Sequence, residues 1–242
     1  SLSACQTTPG SWFTDNVTVY VNRLDGAAVT DTNTVALLGG VDAIDCSTGG
    51  NMHLYNIHQY GGQWGALRCT GAGAYRVLTE DCKFGFTTNT STPSDSVQSL
   101  DLDLFIGIRT VAHHGQKDGF NFHANAGKIP KAVLIDCIGY ENGKGSTMNS
   151  CNGCTSHDGG ILIDINGRYF RNYGGDCAYV NAGTEGWHIG TQAYAGYGDL
   201  MRNFGEVPPN TGFFAGDNAV ISMIGSIGGT MTTTGDTINI SD

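Results

Sequence analysis

Three segments decide the fold: Leu78-Thr-Glu-Asp-Cys82, Val133-Leu-Ile-Asp-Cys137 and Ile161-Leu-Ile-Asp-Ile165. Looser copies stand at Leu104-Phe-Ile-Gly-Ile108, His188-Ile189-Gly190 and Val220-Ile-Ser-Met223. The motif returns about every 28 residues, with two steps from Asp81 to Asp136 and one from Asp136 to Asp164. Each copy is a short apolar strand followed by glycine-rich turns. Such a unit cannot bury its own apolar face and must stack on its neighbours, and a period of roughly 20–50 residues marks that architecture. Aligning the copies places Asp136 and Asp164 in register. It also gives Cys82 and Cys137 equivalent places, where a small buried thiol stacks inside a coil.

Composition supports many turns. The 37 glycines in 242 residues are about twice the average usage of roughly 7%. There is no Gly-X-Y period, and 40% hydrophobic residues argue against disorder. A net charge of −10 repels nucleic acid at long range, so a nucleic-acid partner is disfavoured. No run approaches the ~18 apolar residues of a membrane-spanning helix, so membrane insertion is not expected. The opening Ser1-Leu-Ser-Ala-Cys5 lacks the charged and apolar regions of an intact signal peptide. Without an initiator Met, the chain reads as a processed product or a piece of a longer protein. Eight cysteines are too sparse for a disulfide-stapled miniprotein.

Strands are expected at Val17–Val21, Val35–Leu38 and Val41–Ile44, each bounded by Asp, Asn or Gly. In Leu100–Ile108 the alternation sets Leu100, Leu102, Leu104, Ile106 and Ile108 on one face. Thr87–Asp95 and Gly143–Ser156 read as polar loops. No window carries a capped helical pattern, so helix content should be low. The whole of 1–242 reads as a single β-helix domain. It has N-terminal strands or a cap over 1–60, main coils over 61–228 and a C-terminal strand or cap over 229–242.

The repeated strands, together with Asp118–His123, Ile135–Gly143, His157–Gly160 and Asn166–Asn172, resemble the right-handed parallel β-helix of the pectate-lyase-like superfamily. They are similar in particular to coils of phage tailspike and tail-associated β-helix proteins. The resemblance spans roughly residues 60–228. It implies an all-β solenoid with coils of about 25–30 residues and stacked apolar, Asn, Ser and Thr ladders. It does not choose an activity, because the superfamily holds lyases, hydrolases, epimerases and inert virion proteins. Nothing in the chain matches the arginine-bearing signature of the classical pectate lyases. A homotrimer and an extracellular or virion-associated location go with the tailspike likeness.

On such a surface, equivalent residues of successive coils lie about 4.8 Å apart, which suits an extended polysaccharide. The densest polar constellation runs from residue 109 to residue 188. The catalytic candidates are Asp118, Asp136, His157 and Asp158. Glycoside hydrolysis needs two carboxyl groups about 5–5.5 Å apart for retention or 6.5–9.5 Å for inversion, separations that one and two coils supply. His157 is the candidate general base near neutral pH, although Asp158, as its strand neighbour, points away and orients it poorly. Asp-Gly is equally a turn signal, and a turn histidine packed beside Trp187 or Tyr179 is the plain alternative. His123, Glu141, Arg168, Arg171, Tyr169 and Trp187 are the candidate substrate-binding residues, the rings serving to stack on sugars. The further aromatics Tyr140, Phe170, Tyr173, Tyr179, Tyr194 and Tyr197 follow repeated positions too, and interior or trimer packing explains such rings equally well.

A lyase would use Arg168 and Arg171, or calcium, to neutralise a uronate carboxylate, and the acidic chain weighs against that. No cofactor is expected; stacked Asp residues are read as solvated or calcium-bound. Cys151-Asn-Gly-Cys154-Thr-Ser-His157 has only three local ligands for zinc, so a loop disulfide or free thiols is preferred to a metal site. The leading expectation is a tailspike-like protein that binds a bacterial surface or extracellular polysaccharide, with cleavage left open and hydrolysis preferred to elimination on the carboxylate-rich constellation. The alternatives are a non-enzymatic structural or receptor-binding virion protein, and a polysaccharide lyase or epimerase.

Overall fold

The computed structural model describes residues 1–9, 11–14, 19–22, 42–46, 50–70, 75–88, 94–124, 128–143, 151–194, 211–234 and 237–241. It forms two compact units, Ser1–Ala36 and Leu37–Asp242. In the first, a short helix Leu2–Thr7 accompanies an antiparallel pair, Trp12–Thr14 with Val19–Val21. Of the strand expected over Val17–Val21, Val19–Val21 is observed, and residues 17–18 lie outside the described residues. The expected strand Val35–Leu38 and the start of Val41–Ile44 lie outside the described residues. No described helix is long and apolar enough to cross a membrane.

The second unit is a parallel β-solenoid of three sheets. The first sheet holds Met52–Tyr55, Arg76–Glu80, Leu104–Ile108, Lys131–Ile135, Ile161–Ile165, Glu185–Ile189, Val220–Ile224 and Thr237–Ser241. The second holds His58–Tyr60, Lys83–Gly85, Val111–His113, Ile138–Tyr140, Arg168–Phe170, Gln192–Tyr194 and Ile227–Gly228. The third holds Ile44–Asp45, Gly65–Thr70, Asp95–Leu100, Phe120–His123, Cys154–His157, Cys177–Val180, Thr211–Gly216 and Thr230–Thr234. The chain visits the three in turn and then pairs in parallel with the previous coil, so the expected all-β solenoid is the observed one. Cys154–His157 is a strand, so the loop expected over Gly143–Ser156 does not include 154–156; its residues 144–150 lie outside the described residues.

Corners between strands repeat as strictly as the strands. Asn56, Asp81, Arg109, Asp136 and Asn166 all take φ between 49° and 56° where the first sheet turns into the second, and Gly190 and Gly225 follow at 64° and 55°. Left-handed backbone is costly for most L-residues and least so for Gly, Asn and Asp, which explains the Asp of the Asp-Cys motif. Phe86, His114, Glu141 and Arg171 hold the same conformation where the second sheet turns into the third. Asp101, Asp158, Asn181 and Asp217 hold it where the third turns back to the first.

Inside, Leu67, Val97, Phe120, Cys154, Cys177 and Phe213 form a fully buried column of register partners. Cys82 and Cys137 point inward just past their corners, as expected, and all eight cysteines are free and buried. Asn142 and Asn172 form a buried ladder in which Asn142 Nδ2 donates to Asn172 Oδ1 (2.9 Å) and Asn172 Nδ2 to Asp176 Oδ1 (2.8 Å).

Two register expectations are corrected. Asp164 pairs with Leu134, not with Asp136, and so points into the core. There it accepts from Tyr169 Oη (2.9 Å) and Thr191 Oγ1 (2.5 Å) and faces His188 Nδ1 (3.2 Å). The second concerns Leu100–Ile108. Phe105 and Gly107 face inward, Leu104, Ile106 and Ile108 face outward, and Leu100 and Leu102 belong to the preceding strand and corner.

Candidate functional site

The four catalytic candidates fall at three different corners of the coil. Asp118 lies where the chain enters the third sheet. Asp136 sits at the corner from the first sheet to the second, beside Arg109 and Asn166 in the column. His157 ends a third-sheet strand, and Asp158 is the corner residue that follows it.

Asp118 is sealed in a polar ladder. It accepts from Asn152 N (2.8 Å) and from Lys117 Nζ (3.2 Å), while its own N–H donates to Asp95 Oδ1 (3.1 Å). Asn121 Nδ2 bridges Asp95 Oδ2 (2.9 Å) and Asp118 Oδ2 (3.3 Å). Burial, reinforced by the Asp118 charge, pushes Asp95 up to about 7; burial also raises Asp118, against the pull of Lys117. Both side chains are closed to solvent, so this pair of carboxyls one coil apart is structural rather than open to a glycan.

At the corner from the third sheet to the first, the Asp158 carboxylate is held by His123 Nε2 and Asn181 Nδ2. The His123 ring lies 5.5 Å from that of His157, whose Nε2 meets Thr155 Oγ1 at 2.9 Å. Burial, with help from the Lys117 and His123 charges, lowers His157 to about 3. His157 is therefore neutral and a weak base at pH 7, and Asp158 orients His123 instead of His157. Among the described residues, no group of three or more His, Cys, Asp or Glu could hold a metal ion. Cys154 turns into the core and stacks on Cys177, away from the zinc arrangement considered above.

The candidate binding residues also separate. Tyr169 is wholly inside and bonded to Asp164, so it cannot touch a glycan on the surface. Trp187 is exposed on the first sheet. Arg168, Glu141 and Arg171 share one surface, the outer side of the second sheet and its corner with the third.

A column of rings runs along the second sheet at that surface. His113, Tyr140, Phe170 and Tyr194 are successive register partners. Tyr140 stacks on His113 at 5.2 Å and 9°, and on Phe170 at 5.3 Å and 6°. Tyr60 and Phe86 extend the cluster edge-on to His113. No family model, curated protein or solved structure matches the chain.

Beside this column, His113 Nδ1 and His114 Nδ1 lie 2.9 Å apart, and His114 Nε2 reaches Glu141 Oε2 at 2.9 Å. Facing a carboxylate, His114 Nε2 donates to Glu141, and the two Nδ1 atoms share one hydrogen between the rings. Burial first, then the neighbouring His114 and Lys83 charges, lowers His113 to about 4, in keeping with a neutral ring. Glu141 also receives Arg171 at 3.5 Å. Lys83 and Arg168 occupy the row on the other side of the rings. The strands of this sheet contain no acid, in a chain whose net charge is −10.

Tyr140, Phe170 and Tyr194 were in view as repeated aromatics, but their sharing of a column with His113 was not. The available signal is that each closes the three-residue strand that follows a left-handed corner.

Proposed function

We propose that the chain binds an extended polysaccharide laid along the solenoid axis over the outer side of the second sheet, and that it acts by binding rather than by cleavage. The observation that carries this is the parallel stack of His113, Tyr140 and Phe170. Because the rings cover one another's faces and His113 is buried, the electropositive edges of Tyr140, Phe170 and Tyr194 and the Tyr hydroxyls are what the column offers to a ligand. The stack is held before any ligand arrives, which limits the entropy lost on binding. Lys83, Arg168 and Arg171 along its flanks favour a glycan bearing carboxylates or sulfates. A bacterial surface or extracellular polysaccharide fits, as does a tailspike-like, virion-associated or secreted member of the pectate-lyase-like superfamily.

Hydrolysis receives less support. Asp118 is buried, Asp136 is at another corner, and His157 is held neutral well below physiological pH. Affinity electrophoresis against capsular and lipopolysaccharide glycans, run alongside reducing-end and uronate-unsaturation assays, tests the proposal. At least one acidic glycan should retard the protein without new chain ends. Arg168→Gln and Tyr194→Ala should each weaken binding about tenfold, as truncation of a contacting Arg or Tyr commonly does. Retardation that survives both substitutions would move the site off this sheet, and new reducing or unsaturated ends would restore the enzyme reading.

A further inference from the structure

The outer side of the first sheet is apolar over successive strands. Ile163 (36% exposed), Trp187 (42%), Ile189 (38%) and Ile224 (41%) stand out from it, among half-buried Ile106, Ile108, Val133, Ile135, Ile161 and Ile165. Its outermost row reads Leu104, Lys131, Ile161, Glu185, Val220 in register. The one cation and the one acid of that stretch lie one strand to either side of Ile161.

We infer that this face is a docking surface for a second copy of the chain, with the two solenoids antiparallel. A twofold axis along the Ile161–Ile165 strand superposes each row on itself and reverses the strand order. Lys131 then faces Glu185 of the second copy, and Glu185 faces its Lys131. Val133 meets Trp187, Ile135 meets Ile189, Ile108 meets Ile224, and Ile163 and Ile165 meet their own counterparts. The other face-to-face twofold, along the solenoid axis, sets Lys131 against Ile135 and Glu185 against Ile189. It leaves both charges unpaired on apolar surface, which is costly. Lys131 and Glu185 are both exposed, and neither has an ion pair among the described residues. Five strands at about 4.8 Å by five residues at about 3.3 Å make roughly 400 Å² of flat face. A standard interface takes about 800 Å² of accessible surface from each partner, so this dimer belongs to the weak, concentration-dependent class. It lies on a different sheet from the proposed glycan face and does not depend on it.

Sedimentation equilibrium of the full chain over a dilution series, up to its highest soluble concentration, provides the test. A monomer–dimer equilibrium is expected. Lys131→Glu and Glu185→Lys should each raise the Kd about tenfold or more, and the double swap should restore it to within about threefold of the parent. Both sites are solvent-exposed, so folding is not at issue. A monomer at every concentration, a three-copy species, indifference to the single reversals, or failure of the double swap to restore would each overturn the inference.

Discussion

Asp95 and Asp176 are both driven by burial to titrate near 7, while His113 and His157 are driven to about 4 and about 3. The unfolded chain titrates its carboxyls near 4 and its imidazoles near 6.5. Between about pH 4 and pH 7 the folded chain holds carboxyl protons that the unfolded chain has released, so this contribution to stability falls as pH rises. Below about pH 6.5 the unfolded chain takes up imidazole protons that the folded chain refuses, so the second contribution falls as pH falls. The two oppose each other over the same window, and the parent protein should show a flatter stability profile than either set alone would give. In the Asp95→Asn/Asp176→Asn double variant the histidine slope is left less opposed. Its urea midpoint, relative to the parent, should rise from about pH 4.5 to about pH 6.5. A ratio unchanged across that range would show that these carboxyls do not hold their protons in the fold.

The element that organises the chain is the one-residue left-handed corner. Asn166 holds φ 56° in the column of Asp136 and Gly190. Asn166→Val places a β-branched residue there and should cost about 1–2 kcal/mol in urea unfolding, whereas Asn166→Gly should change stability by only a few tenths. Gly225, at φ 55° with open space where a side chain would go, should accept Asn with little loss. Equal costs for Val and Gly at 166 would show that the corner conformation is not what constrains the residue. These corners also explain what was readable in the sequence. Asp-Cys repeats announced the coil because an αL-tolerant residue followed by a small inward one recurs at Asp81-Cys82 and Asp136-Cys137. Orientation was not readable from alternation, because the first sheet is apolar on both sides: Ile106 and Ile108 outside look like Phe105 inside. Counting 28 residues misplaced Asp164 by two positions because coil length varies. The register partners Phe105, Ala132 and Leu162 are 27 and then 30 residues apart. The aromatic column was hidden for the same reason, since its members meet only when the true register is known.

Across the whole molecule, each coil of the solenoid rests mainly on the coil before and the coil after. The stability of such an array is approximately a sum of unit and nearest-neighbour terms, and opening is expected to start at exposed ends. Core cysteines are distributed along that axis. Cys46 directly follows the edge strand Ile44–Asp45, Cys69 and Cys82 come next, and Cys137, Cys154 and Cys177 lie deeper in the stack. The hydrogen bond from Cys69 lowers the Cys46 thiol, while burial pushes Cys137 up to about 12 and raises Cys154 and Cys177. With every solenoid thiol buried and unbridged, alkylation at a given site there must wait for its own coil to part. Timed labelling read by peptide mass should modify Cys46 first and Cys137 and Cys154 last, and simultaneous modification of all of them would mean that the solenoid opens as one unit. What began as a small residue fitting a crowded interior thus becomes a row of chemical clocks, each timing the unzipping of its own turn of the chain.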